Sequence, residues 1–521
     1  LMHGKKLAKI ALCSTLVAAL AAGCSNSPKQ QGIAEADTDN SGATSKTPLE
    51  LKIHLHYNDS RVFDNNSPVF AKAAELTHVT LKGTASPTAT NSKETFNIML
   101  VSGNLPDIIH GSKDDMNKAA LQGALVPLDD LIKQHAPHLK KFLDDNDWVR
   151  KGSVASDGKL YYIPFVADGE ASSGFFIRKD WLDKLGLPFP KTVDEYYKTL
   201  TAFKNQDPNG NGLKDEIPYF NRNKAGVIEL AQLFGARSVW YEQDGKVHFG
   251  KYEKEYKTAM SNIAKWYKEG LIDNEIYTRG SKARDVLLGN NTGGSTHDWF
   301  GSTASYNDTV KKSVPSIQFV PFMPPADING KVKEEQSRPL LVARGWGISS
   351  ANKHAIETMK YFDFWFTEEG RRLNNFGLEG THYNMVNGKP IFKDEVLKNE
   401  KSVLNQLVEV GAQIEIGVNQ DFFYEQQWMN PIAKDGVNMY INNKTLLPLF
   451  PQLTFNEAEQ KIISQKWSSI ETFIMEKEQK WIMGVEQVDA SFDSYLKTLK
   501  DMGMDDIVKI YNDAYQRYLR S

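Results

Sequence analysis

LELKIHLHY, residues 49–57, alternates apolar and polar side chains with the period of two that marks a strand. Downstream, 67–77 carries helical periodicity, 79–83 reads as a second strand and 93–100 as a second helix. Ser102-Gly103-Asn104-Leu105-Pro106 then turns the chain into a third strand, Asp107-Ile108-Ile109-His110. Strand, helix, strand, helix, strand in that order predicts a parallel or mixed sheet with helices on its faces, an α/β fold. Helices are expected over 115–122 and 128–135, and short strands over 160–165 and 175–178. Thr192 stands before a helix at 193–203, with Glu195 placed to complete a capping box. A long amphipathic helix spans 252–268, 345–349 is strand-like, and 352–375 is helical with Trp365 on its apolar face. Helical periodicity returns over 456–479 and 491–519, and no internal repeat is present.

The 521 residues set a soft expectation of two to four structural units. With 40% apolar, 24% charged and 11% aromatic residues, the chain is not a disordered one. Two cysteines exclude a disulfide scaffold. Beyond the N-terminus no window approaches the apolar length of a membrane span. Against 62 basic side chains stand 65 acidic ones, a net charge of −3, so nucleic acid is not an expected partner.

Lys5, Lys6 and Lys9 precede an apolar run over 10–20, and Leu20-Ala21-Ala22-Gly23-Cys24 follows. This is the charged, apolar, small-residue layout of a secretory signal. Its last five residues resemble a bacterial lipobox, in which cleavage falls before the cysteine and the thiol carries the lipid. An ordinary signal peptide with a chance cysteine is the plainer alternative. Removing the 23 residues before Cys24 leaves 498 residues and a net charge of −6. Cys24 is then the single remaining cysteine, so no internal disulfide is expected. Residues 25–47 are polar and small, a composition suited to a flexible tether.

Asp207-Pro208-Asn209-Gly210-Asn211-Gly212-Leu213-Lys214-Asp215-Glu216 is the sharpest local motif. Asp207, Asn209 and Asn211 alternate, so their oxygens can face one side of a tight loop. The Leu213 carbonyl, Asp215 and Glu216 would complete an all-oxygen set of the kind calcium requires. Pro218 stands where an EF-hand has its twelfth-position glutamate, so the loop is not an EF-hand proper. A metal-free Asx-turn loop is the alternative. The expected role is structural.

The lipobox, 102–109, 161–164, Arg178-Lys179-Asp180-Trp181-Leu182-Asp183-Lys184-Leu185-Gly186, the cation loop, 364–370 and Met483-Gly484 together resemble family 1 extracellular solute-binding proteins of ABC importers. The closer likeness is to that family's large calcium-containing lipoproteins, and it covers nearly the whole chain after the leader. The resemblance implies two α/β domains joined by crossing segments, with ligand in the cleft. It implies crossings near 165–168, 341–348 and 379–385. The expected division is a leader at 1–23 and a tether at 24–47. An N-terminal lobe follows at 48–166 and 341–380, and a C-terminal lobe at 167–340 and 381–521 with the cation loop and a helical extension. It further implies ABC permease partners, a lipid anchor on the extracytoplasmic face of the membrane, a monomer, no catalysis, and an oligosaccharide ligand. Its ligands in that branch include alginate fragments.

Sugar rings present C–H faces to aromatic side chains and hydroxyls to planar polar ones. Candidate contacts are Trp299, which follows a Gly-rich loop at 289–294, and Tyr424, Glu425 and Trp428. Trp299 and Trp428 stand where alginate-binding relatives place stacking tryptophans. Arg344 and Trp346, and Tyr162 and Asp168, lie at the implied crossings. A core position is the plain alternative for any one tryptophan. Asp298 and Glu425 could be imagined as the carboxylate pair of a secreted glycosidase, and a peptide-binding lipoprotein would share fold and anchor. No G-x-S-x-G, HExxH, Walker A or Rossmann glycine pattern is present. His54 and His56 share one face of the first strand, read as solvated because no third metal ligand is evident.

Overall fold

The computed structural model describes residues 48–335 and 338–521. The expected leader, Cys24 and the tether lie outside the described residues. Strands β1 (Leu49–His54), β2 (Val79–Gly83), β3 (Ile108–Ser112) and β4 (Ile163–Val166) come first. Next are β5 (Ser173–Arg178), β6 (Ile217–Tyr219), the hairpin β7 (Trp240–Gln243) and β8 (Lys246–Phe249), β9 (Gly293–Trp299) and β10 (Phe319–Phe322). β11 (Leu341–Ile348) and the hairpin β12 (Tyr383–Val386) and β13 (Lys389–Phe392) follow. One five-stranded sheet has the order β2-β1-β3-β11-β4, and a four-stranded sheet the order β10-β5-β9-β6.

β1 runs parallel to both β2 and β3, with helices Pro68–Thr77 and Ser92–Val101 as the crossovers. The first of these starts where the sequence allows it. Ser67 Oγ accepts the Phe70 N–H, and Pro68 stands at the helix start, where an N–H would have no partner. Alternation along β1 buries Leu51 and Ile53 completely. The same alternation takes His54 and, just past the strand, His56 inward, to 4% and 6% exposure. The expectation of a solvated histidine face is thus corrected: helix Ser92–Val101 covers it, with Phe96 packed edge-on to His54.

β11 is inserted antiparallel between β3 and β4, with a bulge between Val342 and Gly345. A Cβ at Gly345 would lie 1.9 Å from the Ile163 carbonyl oxygen, so this close pairing admits only glycine. The Gly-rich stretch before Trp299 is not wholly a loop either. Residues 293–299 form β9, flanked by β5 and β6, and a Cβ on Gly294 would meet the Phe203 ring at 2.7 Å. Other expected elements divide where caps intervene. The 352–375 segment is two helices, Ala355–Phe364 and Glu368–Phe376, the second capped by Thr367 Oγ1. The C-terminal region is three, Glu457–Ile482, Val488–Asp501 and Met504–Arg520. The capping box forms at Asn456 and Glu459, whereas the Glu195 carboxylate accepts the N–H of Lys191 instead of Thr192.

Each sheet carries its own apolar core. The first, around the five-stranded sheet, contains Trp365 at 0% exposure, as its helix face predicts, and extends through Tyr383, Leu407, Val418 and Tyr424. Ala433, Val437 and Tyr440 belong with Phe176, Phe300 and Phe319 against the other sheet. The last crossing therefore lies at 425–432, not near 379–385, because hairpin β12–β13 and the helices after it bury their apolar faces in the first core. The helix Glu457–Ile482 packs on the helix Glu255–Lys268, bringing Ile470, Ile474 and Trp481 into one cluster with Ile263 and Trp266. No described helix is long and apolar enough to cross a membrane.

A charged brace holds β9 to its surroundings. His297 is buried, with Nδ1 2.6 Å from Glu229 and Nε2 2.9 Å from Glu334, itself buried. Burial alone would lower the imidazole, but the two carboxylates outweigh it and hold His297 well above its ordinary value. Glu334 in turn binds the 445–447 segment through Glu334 N to Thr445 O and Leu447 N to Glu334 O. His297→Leu would strand the Glu334 charge and is expected to remove about 3–5 kcal/mol of unfolding free energy, measured by urea titration. The folded-state value is raised, so the brace contributes in full below about pH 6.5 and is lost as pH rises through that higher value. The wild-type melting midpoint should fall on the alkaline side more than that of His297→Leu; parallel profiles would refute the brace.

Candidate ligand-binding cleft

A cavity of about 790 Å³ lies between the two sheets. Phe165 of β4 and Val342 of β11 face it from one side, Trp299 of β9 and Phe300 from the other, and Tyr424, Glu425 and Trp428 line it from the last crossing. Such a volume suits a small ligand bound by a few polar groups on apolar walls. Trp299 is 60% exposed and Trp428 37%, whereas Trp181, Trp346, Trp365 and Trp481 are at 1% or less. The exposed pair are thus indoles that the folded chain leaves uncovered. Trp299 ends β9, where its own N–H is held by Asp298 Oδ1. Trp428 ends the short helix Phe423–Trp428 and meets the ring of buried Tyr424 edge-on, at 6.1 Å.

The polar groups of the cavity are pre-set by one another. Glu425 accepts from Arg338 Nη2 at 2.9 Å, and Arg338 also lies over the Phe422 ring. Gln420 donates to Gln413 and Tyr424 from the same seam. Below Trp299, Asp298 is buried, takes Arg222 Nε at 2.8 Å and Nη2 at 3.0 Å, and has Arg284 at 3.4 Å. Asp298 and Glu425, the pair imaginable as glycosidase carboxylates, are each held by a guanidinium, from Arg222 and Arg338 respectively.

Of the residues singled out in the sequence, Trp299, Trp428, Tyr424 and Glu425 meet on this cavity. Arg344 lines a neighbouring chamber of about 390 Å³ that shares Tyr57 and Arg61 with it. Asp168 serves the crossing instead: its Oδ2 accepts the Phe422 N–H and its own N–H goes to Gln420 Oε1. Tyr162 and Trp346 require correction, because both are fully buried. Tyr162 packs with Ile109 and Met116, and Trp346 stacks on Phe362 at 4.6 Å beneath the helix Ala355–Phe364. Tyr57, Arg61 and Arg338 went unnoticed in the sequence. The signal for the first two was their place just past the carboxyl end of β1, where open α/β sheets bind ligands.

The cation loop follows the helix Val193–Asn205 and precedes β6. Asp207 has φ 46° and accepts the N–H groups of Gly210, Asn211 and Gly212. The amides of Asn209 and Asn211 both donate to Asp215. Among the described residues no three carboxylate, imidazole or thiol side chains converge as a metal cluster. The donor set nevertheless fits a hard cation in one respect. Glu216 is 6% exposed and neither carboxylate oxygen has a hydrogen-bond partner, an arrangement that leaves a buried charge uncompensated unless a proton or cation meets it. Burial, with help from Asp215 and Asp207, pushes this carboxyl up.

Comparison with known proteins agrees with this architecture. Residues 67–372 match the bacterial extracellular solute-binding protein family. The fructooligosaccharide ABC transporter substrate-binding protein FusA of Streptococcus pneumoniae is 29% identical over 463 residues, 81% of this chain and 82% of that protein. Lipoprotein LipO of Bacillus subtilis is 25% identical over 527 residues, 96% of this chain and 97% of its own. The crystal structure of alginate-binding protein AlgQ2 without calcium ion is 41% identical, superposes with a TM-score of 0.72, and covers 91% of this chain and 99% of that one. FusA is named as the substrate-binding protein of an ABC transporter and AlgQ2 as an alginate-binding protein. A two-domain α/β scaffold with an interdomain cavity, matched to that family over more than half its length, makes this chain a member of the bacterial extracellular solute-binding proteins.

Proposed function

We propose that this chain is the lipid-anchored substrate-binding protein of an ABC importer and captures an oligosaccharide in the cavity between its two domains. The observation that carries this reading is the pair of uncovered indoles, Trp299 and Trp428, lining one cavity with the Arg338–Glu425 pair. Indole faces offer the apolar surface that sugar C–H faces pack on, and the paired charges offer oriented hydrogen bonds to hydroxyls. FusA and AlgQ2, named for fructooligosaccharide and alginate, support the ligand class. Ligand bridging the two domains favours the closed arrangement only by its differential affinity for it. Closure about the three crossings presents both domains together to the permease subunits. The anchor is assigned to Cys24 on its lipobox and on the likeness to a lipoprotein. The protein acts as a monomer at the extracytoplasmic membrane face.

Calcium is the cation this loop would take. Asp207, Asn209, Asn211, the Leu213 carbonyl, Asp215 and Glu216 would hold it. The ion would supply the counter-charge that Glu216 lacks and brace the turn into β6, with no part in ligand chemistry. The name of the AlgQ2 structure, which specifies the absence of calcium, supports this choice.

Trp299→Ala and Trp428→Ala should each lose about 1.5–3 kcal/mol of binding, roughly ten- to a hundredfold in Kd. Calorimetry with alginate oligosaccharides and nystose reads this, and the melting midpoint should stay near wild type because both indoles are exposed. Trp346→Ala, by contrast, should destabilise the fold by about 3–5 kcal/mol. Unchanged affinity in both cavity variants would exclude the cavity as the site.

Calcium at a hundredfold excess over its Kd should stabilise the wild type by about 2.7 kcal/mol. Asp207→Ala should abolish that dependence and melt lower. A midpoint unmoved by chelator would rule out the structural ion.

A further inference from the structure

Residues 446–455 form a strap that belongs to the domain of the four-stranded sheet and is bonded to the other. The strap leaves that domain where Glu334 bonds Thr445 and Leu447, and re-enters it as the helix Glu457–Ile482. Between these points two residues face both ways. The Leu453 side chain is buried with Val247, Ala514 and Tyr515, while its carbonyl oxygen accepts Lys113 Nζ at 2.8 Å. The Thr454 carbonyl accepts Arg517 Nη2 at 3.1 Å from the C-terminal helix, while Thr454 Oγ1 donates to the Val154 carbonyl at 2.8 Å. Lys113 opens the helix Lys113–Leu121, which packs on β3, and Val154 follows the helix Asp147–Ser153, which packs on β4. Both therefore belong to the domain of the five-stranded sheet.

This contact is narrow, because a cavity flanks it at each end. Gln452 lines one of about 490 Å³, with Trp148, Leu341 and Phe450. Thr454 lines the other, of about 310 Å³, with Gly158 and Tyr518. The two polar bonds between them thus tie the domains without a packed apolar interface, and relative motion of domains is the ordinary consequence of so small a contact.

Lys113 is a costly residue for a bond that only stabilises. It is 4% exposed, and among the described residues no carboxylate pairs with its ammonium. Burying a charge against a neutral carbonyl costs more than burying a neutral donor. The ammonium also stands at a helix start, where the macrodipole disfavours a cation. Burial pulls it down to about 8, and Asp114 offsets this only in part.

We propose that the strap is a fourth link between the domains, and that Lys113, by pinning the Leu453 carbonyl, sets the spacing of the domains and so the width of the cavity between them. Lys113 touches no cavity residue through its ammonium and acts as a positioning residue. The proposal rests on the reading of that cavity as the ligand site, and its test needs no ligand.

The test is the distance between the domains, measured by pulsed electron paramagnetic resonance on the full chain. Cys13 and Cys24, the two cysteines, are replaced by serine. Spin labels are placed on exposed helix positions as two pairs, Ala71→Cys with Lys198→Cys and Gln134→Cys with Lys268→Cys. Lys113→Met should move the mean distance of at least one pair by more than about 2 Å and broaden its distribution. Thr454→Val, which removes the second bond, should broaden the same distribution. Loss of the buried charge and loss of the carbonyl's donor oppose each other in Lys113→Met, so its urea midpoint should stay near that of the unsubstituted protein. Unchanged distances in both variants overturn the proposal, and a lowered midpoint with unchanged distances makes Lys113 a structural residue alone. If Lys113→Met does not fold, Thr454→Val decides by the same distances. Failure here leaves the oligosaccharide reading standing.

Discussion

The arrangement depends on a hydrogen-bonded seam where three chain segments pass between the sheets. Val166 N donates to Val418 O, Gln420 N returns to Val166 O at 2.8 Å, and Ala167 N donates to Leu340 O at 2.7 Å. Asp168 adds bonds to Gln420 and Phe422, and Arg371 Nη2 donates to the Gln420 carbonyl. Backbone groups in such a setting must be paired, and each pairing here joins residues far apart in sequence. The seam consequently fixes where β4 ends, where β11 begins, and where the segment bearing Tyr424, Glu425 and Trp428 departs. The cavity is what remains between the sheets once those three segments are joined.

Around that cavity, polar side chains are fixed before any ligand arrives. Arg222 and Arg284 close on Asp298, which holds the Trp299 backbone. One residue earlier, His297 joins β9 to Glu229 and to Glu334. Trp299 therefore rises from a rigid base while its indole stays uncovered. Pre-ordered walls reduce the entropy that a ligand must give up on binding.

The same chemistry recurs in two settings with opposite outcomes. At β11, Trp346 is covered by the helix Ala355–Phe364 and becomes core, while Arg344, two residues away, reaches the cavity side beside Tyr57. At β9, a run of glycine and polar residues that lacks apolar alternation is a buried strand. It is buried because Phe203, Phe220 and Trp181 press against its glycines, Ser295 Oγ donates to the Phe176 carbonyl, and His297 and Asp298 are met by charged side chains from outside the sheet. Local composition describes neither outcome, because both are set by what arrives from elsewhere in the chain.

Sequence alone was sufficient for what periodicity and local hydrogen bonding determine. It placed β1 and the helices beside it, the cap at Thr192, the oxygen-rich loop at 207–216, and Trp365 in the core. It also singled out Trp299, Tyr424, Glu425 and Trp428, whose residue types announce an exposed apolar and polar mixture. Tertiary structure decided the burial of His54 and His56, the core positions of Tyr162 and Trp346, and the last crossing at 425–432. It also brought Arg61 and Arg344 together on Tyr57. Periodicity reports which faces of an element are apolar and is blind to what covers them. Covering is a contact between residues tens to hundreds of positions apart, and only the packed chain specifies it.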